Sequence, residues 1–347
     1  MTQTIDSGQG RGTAHAAPTL DEVAQAAGVS RSTASRAING GHRVSPEAQL
    51  AVDDAVERLG YVPNRAARSL VTRRTGSVAL VLPEPDERVL NDPFLTGTLR
   101  GVSSALGTSE LQLVLIMARP GDQDGRIARY LGGGHVDGAI VASHHREDGL
   151  EEDLARSGMP SVFVGRPFEP ENHLYVDVDN FDGGRQAAQR LIDRGCRRIT
   201  TISGPLDMTA GIDRLDGWAA ALRAAGFETD GVEHGDFTMA AGSAAAERLL
   251  ARVPDLDGIF AASDAMAAGA VRVLREHGLS VPDDVAVVGY DDLGFAVAST
   301  PQLTTVTNPV SVLAGEATML LLDVLAGAEA PVAPTVLPAE LVVRASA

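Results

Sequence analysis

From Gly76 to Ala347 short apolar runs alternate with amphipathic stretches, and this alternation limits the fold more than any other feature of the chain. Strand-length runs lie at 77–82, 111–117, 138–142, 161–164, 199–203, 258–262 and 285–289, with a further candidate at 335–344. Helix-length stretches between them include 95–107, 181–194, 215–225, 243–251 and 264–277. Strands separated by helices build parallel sheets covered on both faces. About 270 residues is long for one such sheet, so two lobes are expected, with a break near 175–179.

In open parallel sheets a ligand sits beyond the carboxyl ends of the strands, and with two lobes the cleft between them is the expected site. The polar and aromatic residues at those ends are the candidate contacts. Pro83, Glu84, Asn91, Asp92 and Phe94 follow the first run, and Arg166 follows the fourth. Arg214 opens the helix that leads to Trp218; Ser263 and Asp264 follow the sixth run, and Asp291 the seventh. Arginine and carboxylates there can clamp adjacent hydroxyls of a polyol by paired hydrogen bonds. Phe94 or Phe237 can cover the apolar face of a sugar. Plain alternatives stand beside these roles: Asp264 can cap its helix, and Asp291 can belong to a turn with Asp292.

The N-terminal segment reads differently. Thr19 with Glu22 three residues later forms a capping box for a helix that ends at Gly28. Ser30 then caps a second helix, too close for antiparallel packing, so the two cross steeply. A third helix starts at Ser45-Pro46 and stops at Gly60. On the second helix Val29, Ala34, Ala37 and Ile38 can face inward, while Arg31, Ser32, Ser35 and Arg36 form one polar face. Three short helices with an arginine-bearing second helix is the geometry that enters the major groove, although a solvated polar face would look the same. Arg36 is the candidate for reading a guanine, Arg31 and Ser32 for tuning specificity, and Asn39 and Arg43 for the backbone. Residues 64–70, with Asn64 as cap, make barely two helical turns, too short to stand alone in water. A helix folding only on DNA, with Arg65, Ala67 and Arg68 facing it and Leu70 wedged in the minor groove, would account for this; a plain linker over 64–75 is the alternative.

Charge agrees once taken by region. The chain carries −17 from 29 basic and 46 acidic side chains, and it has no lysine. From Thr19 to Thr75 eight arginines outnumber six acids, so the acidic excess lies in the body, which would repel phosphate. The first 18 residues read as a disordered tail rather than a secretory signal, and no run of 18 apolar residues could span a membrane. A cytoplasmic protein is expected. Cys196 is the single cysteine, which excludes an intrachain disulfide. The adjacent His144 and His145 cannot share one helical face as a metal pair, Gly132-Gly133-Gly134 lacks phosphate-loop spacing, and 101–105 lacks the last glycine of a nucleophile elbow. Neither catalysis nor a cofactor is expected.

The stretches Thr19-Leu20-Asp21-Glu22-Val23-Ala24, Ala27-Gly28-Val29-Ser30, Thr33-Ala34-Ser35-Arg36 and Gly60-Tyr61-Val62-Pro63-Asn64-Arg65-Ala66-Ala67 resemble the LacI/GalR family of bacterial transcription regulators. The resemblance continues through Val178-Asp179-Asn180, Gly204-Pro205, Arg214 with Gly217-Trp218, Asp264-Ala265-Met266, Val288-Gly289-Tyr290-Asp291 and Pro301-Gln302-Leu303-Thr304. It implies an N-terminal helix-turn-helix domain over 19–63, a hinge helix and linker over 64–75, and an α/β core over 76–347 resembling the two-lobed periplasmic sugar-binding proteins. It also implies a homodimer on a palindromic operator, with a sugar or sugar phosphate as effector. Arg214 and Asp291 match the family's ligand-contacting arginine and aspartate. Two departures leave the ligand open: Ser263 stands where the family often has Asn, and Gly165 where it often has Asp. A repressor is the leading reading. A sugar-transport component, or an activator served by a partner protein, are the alternatives. No heptad tail follows 335–344, so no coiled-coil tetramer is expected.

Overall fold

The computed structural model describes residues 18–39, 44–62, 74–107, 109–117 and 125–347. The chain forms two units that divide between Thr75 and Gly76. Arg43, Asn64, Arg65, Ala67, Arg68 and Leu70, and with them the expected hinge helix, lie outside the described residues.

The first unit holds α1 (Leu20–Ala26), α2 (Arg31–Ile38) and α3 (Pro46–Leu59). Thr19 Oγ1 accepts from the Glu22 amide at 3.3 Å, and the Thr19 amide donates back to the Glu22 carboxylate at 2.7 Å. These bonds hold the Glu22 carboxyl below its usual range. Gly28 turns the chain at φ +66°, a conformation that costs glycine little. Ser30 then caps α2 through the Thr33 amide at 3.2 Å, and Ser45 caps α3 with Pro46 in the first turn. Val23, Ala34, Val52 and Ala55 are fully buried, with Leu20, Val29, Ile38, Leu59 and Tyr61 packed around them.

In the second unit the chain runs β1 (Ser77–Leu82), α4 (Asp86–Asn91), α5 (Pro93–Leu106), β2 (Gln112–Met117), α6 (Arg126–Gly132), β3 (Gly138–Ala142), α7 (Leu150–Ser157), β4 (Ser161–Val164) and β5 (Leu174–Val178). It continues through α8 (Asn180–Arg194), β6 (Ile199–Ser203), α9 (Thr209–Ala225), β7 (Val232–His234), α10 (Met239–Arg252), β8 (Gly258–Ala261), α11 (Asp264–Glu276) and β9 (Ala286–Val288). The last elements are α12 (Gly294–Ala298), β10 (Thr305–Val306), α13 (Val310–Leu325), β11 (Thr335–Leu337) and β12 (Leu341–Val342).

Two parallel sheets result, in the orders β11-β5-β4-β3-β1-β2 and β7-β6-β8-β9. Both sheets carry continuous buried runs, as in β3 and β6, because helices cover both faces. In the second lobe α8 and α9 approach backbone to backbone. A Cβ on Gly184 would fall 2.1 Å from the Arg214 carbonyl, and one on Gly217 would fall 2.0 Å from that of Phe181. That closeness seals Trp218 in the core with no exposure.

The chain passes between the lobes three times: from β5 to α8, from β10 to α13, and from β11 to β12. The sequence reading near 175–179 saw only the first passage. Residues 174–178 are in fact a strand, and α13 returns to pack on β3, β4 and β5. The single strand expected at 335–344 is two. Pro338 separates β11, paired with β5 in the first sheet, from β12, paired antiparallel with β10.

Candidate functional site

The first unit presents α2 as its polar helix. Ala34 and Ala37 are buried beneath it, Arg31, Ser32, Arg36 and Asn39 are exposed, and Ser35 is half-buried. Arg31 meets Asp21 at 3.3 Å. Arg36 lies along its own helix, its Nε donating to the Ser32 carbonyl at 3.1 Å, and Asn39 donates to the Ser35 carbonyl at 2.7 Å. The helix itself carries no acid. These contacts are local and solvent-exposed, so they can be exchanged for phosphate or base partners at small cost.

In the second unit a cavity of about 540 Å³ is lined from both lobes, within the range of about 300–1,000 Å³ usual for small-molecule sites. Asn91, Asp92 and Phe94 come from the first lobe, and Arg214, Phe237, Ser263, Asp264 and Asp291 from the second. Eight of the eleven sequence-derived candidates therefore line one cavity. Each sits in the loops and helices that follow a strand's carboxyl end.

Arg214 organises the second-lobe side and is buried. Its Nε donates to Asn180 Oδ1 at 2.8 Å and its Nη1 to the Ala262 carbonyl at 2.7 Å. Asp291 lies 3.6 Å from the guanidinium, the Tyr290 ring stacks on it at 3.7 Å, and the Phe237 ring stands 5.7 Å away. Asp264 accepts from Thr305 Oγ1 at 2.6 Å and from the Leu293 amide at 3.1 Å, while Asn308 donates to Asp291 at 3.1 Å. Burial raises both Asp264 and Asp291 above the ordinary carboxylate range, with the charge of Asp291 adding to the rise at Asp264 and that of Asp92 to the rise at Asp291. Ser263 caps α11 through the Met266 amide at 3.2 Å. Asp264 therefore does more than begin a helix, because it ties the 290–293 turn to β10.

Pro83, Glu84 and Arg166 are not among the lining residues. Glu84 is buried and accepts from Ser143 Oγ at 2.7 Å and from Arg88 Nη1 at 3.1 Å. Arg166 makes a forked pair with Asp213, at 2.7 and 2.8 Å from Nη2 and 3.2 Å from Nε. Both side chains spend their polar atoms on protein partners. The sequence reading had not assigned Arg88, Met208, Met239 or Phe295 to the cleft, and all line it. Arg88 falls in the stretch already suspected after β1. The others carried no polar signal.

A helix-turn-helix unit followed by a two-lobed sheet core with a polar cleft defines a ligand-responsive DNA-binding regulator. The model for bacterial regulatory proteins of the lacI family matches residues 19–64, and that for a periplasmic binding protein-like domain matches 188–347. The HTH-type transcriptional regulator CelR of Thermobifida fusca is 50% identical over 95% of this chain and 98% of its own. The chain belongs to the LacI family and is a transcription regulator. A solved complex of the transcriptional regulator CelR with cellobiose is 47% identical, covering 95% of this chain and all of that one, with a TM-score of 0.76. The lac repressor dimer bound to operator and the anti-inducer ONPF is 26% identical over 95% and 99% of the two chains, with a TM-score of 0.82. No helix among the described residues is long and apolar enough to cross a membrane.

Proposed function

We propose that this regulator represses a carbohydrate-utilisation operon, and that a neutral sugar of more than one ring, held between the lobes, controls its grip on the operator. The observation that carries the reading is the cavity wall. Phe94, Phe237 and Phe295 offer apolar faces, and Asp92, Asp264 and Asp291 offer hydroxyl acceptors. The two lining cations are already engaged, Arg88 with Glu84 and Arg214 with Asn180 and the Ala262 carbonyl. A phosphate would meet carboxylates and desolvate charge without a spare cation. The cellobiose held by the related CelR is a neutral sugar of two rings.

On DNA, a homodimer would lay one α2 in each of two successive major grooves of a palindromic operator. Arg36 would release its helix carbonyl and pair with the O6 and N7 of a guanine. The protein would work in the cytoplasm by binding alone, without catalysis or cofactor, as its regulator relatives suggest. Titration calorimetry with cellobiose, ribose and glucose 6-phosphate, followed by gel shifts on a palindromic operator, tests this. Cellobiose should bind and change operator affinity. Binding of the phosphate ester in its place would overturn the neutral-sugar reading.

A further inference from the structure

Beside the cavity the lobes meet through charged groups that share one anchor. Glu84, in the loop after β1, is 3% exposed. Its Oε2 accepts from Arg88 on α4, and its Oε1 lies 3.3 Å from His145 Nε2. Each cation then reaches the other lobe. Arg88 Nη2 donates to the Asp236 carbonyl at 2.9 Å, and His145 Nδ1 lies 2.9 Å from the Asp207 carboxylate. The Arg146 amide reinforces the second bridge by donating to the Asp207 carbonyl at 2.8 Å. We propose that Glu84 is a positioning residue that holds Arg88 and His145 as two arms of a clasp across the cleft, and that the His145 arm makes ligand affinity depend on pH. The proposal rests on the reading that a sugar binds between the lobes.

The groups facing His145 come from every neighbouring element. Glu84 and Asp207 flank the ring. Asp148 accepts from the His145 amide at 2.7 Å. Arg88 lies beyond Glu84, Arg146 is turned over the Phe168 ring at 4.1 Å, and His144 faces Glu151 at 3.0 Å. The Glu84 hydrogen bond, opposed by burial and aided by Asp207, raises the imidazole to about 9. Opening the lobes removes Asp207 but leaves Glu84, so the value falls only part of the way from about 9 toward the ordinary 6.5. Closure thus takes up a proton. It is strongest at the low end of that window and weakens as pH rises toward about 9.

Two measurements test the clasp. In the first, cellobiose is titrated from pH 6.5 to 9.5 into wild type, His145→Gln, Asp207→Asn and Glu84→Gln. Wild-type affinity should fall about tenfold across that range, whereas the three variants bind about tenfold more weakly at pH 6.5 and lose that slope. Asp264 and Asp291 also titrate, but they are present in every protein, so only the difference between slopes counts. Asp207 is partly exposed, so its variant should fold even if Glu84→Gln does not. An identical slope in wild type, His145→Gln and Asp207→Asn overturns the proposal. In the second, spin labels at Leu90→Cys and Ala240→Cys, both exposed, in a Cys196→Ser background report lobe separation without ligand. Wild type should shift to longer distances at pH 9.5, and His145→Gln should show them at both pH values. A shift without cellobiose binding would sink the ligand reading and keep the clasp; binding with neither slope nor shift would do the reverse.

Discussion

The helix proposed to face DNA and the proposed ligand cleft are built on opposite principles. On α2 the candidate side chains are exposed and held by contacts within their own helix or, for Arg31, with Asp21. In the cleft the corresponding charges are buried and matched, Arg214 to Asn180, Ala262 and Asp291, and Asp264 to Thr305 and Leu293. The first surface can be substituted with little effect on folding. The second cannot lose one charge without stranding its partners, so recognition and stability are there a single property.

The strongest break of that contrast is Arg214→Ala. It would leave Asp291 buried beside Asp264 without a countercharge, and should cost about 3–5 kcal/mol. Urea unfolding would read this, and a loss under 1 kcal/mol would refute the idea that the cleft doubles as a structural core.

Next in size is pH. Asp177 is raised to about 6 by burial, so its contribution falls as pH climbs from 3.8 through that value. His145 adds stability that is complete below 6.5 and lost toward about 9. Against its burial, bonds from His144 and from the Phe168 and Glu169 amides hold Glu151 down to about 2, so its share is lost only as pH falls below 4.5. The second unit should therefore be more stable at pH 5 than at pH 9 by about 2 kcal/mol, allowing for the exposed part of His145. Denaturant midpoints at the two pH values would reveal it; the opposite order would mean these groups do not govern.

Arg36→Ala should reduce operator discrimination by about 1–3 kcal/mol while changing stability by less than about 0.5 kcal/mol. Competition binding against a base-substituted operator measures the first and thermal melting the second. Smallest is Thr19→Ala, which removes the capping box of α1 and should cost about 1 kcal/mol. Hydrogen exchange in the first unit is the suitable measurement, and unchanged protection of α1 would show the box to be dispensable.

Much of this arrangement was legible because local chemistry announces it. Thr19, Ser30 and Ser45 are caps whose partners lie three residues away. The strand runs are apolar because they are covered on both sides, and Arg214, Asp264 and Asp291 follow from the rule about strand ends. What could not be read depends on chain segments distant in sequence. Nothing near Arg166 says that its guanidinium belongs to Asp213, 47 residues on. His145, weighed in the sequence only as half of a metal pair, takes its meaning from Glu84 and Asp207, more than 60 residues away on either side. The 335–344 segment has one uninterrupted strand character apart from Pro338, and only the two sheets reveal that it serves both lobes.

The three passages between lobes also bear on how the molecule comes into being. The first lobe needs α13 and β11 to complete its sheet and cover it. The second needs β12, and beyond it Ser346 and Ala347, which hold Val287, Thr304 and Arg190. Neither lobe is thus complete until residues 310–347 have been made, and the two are then completed almost together. Such non-local closure is slow and leaves unpaired strand edges waiting in the meantime.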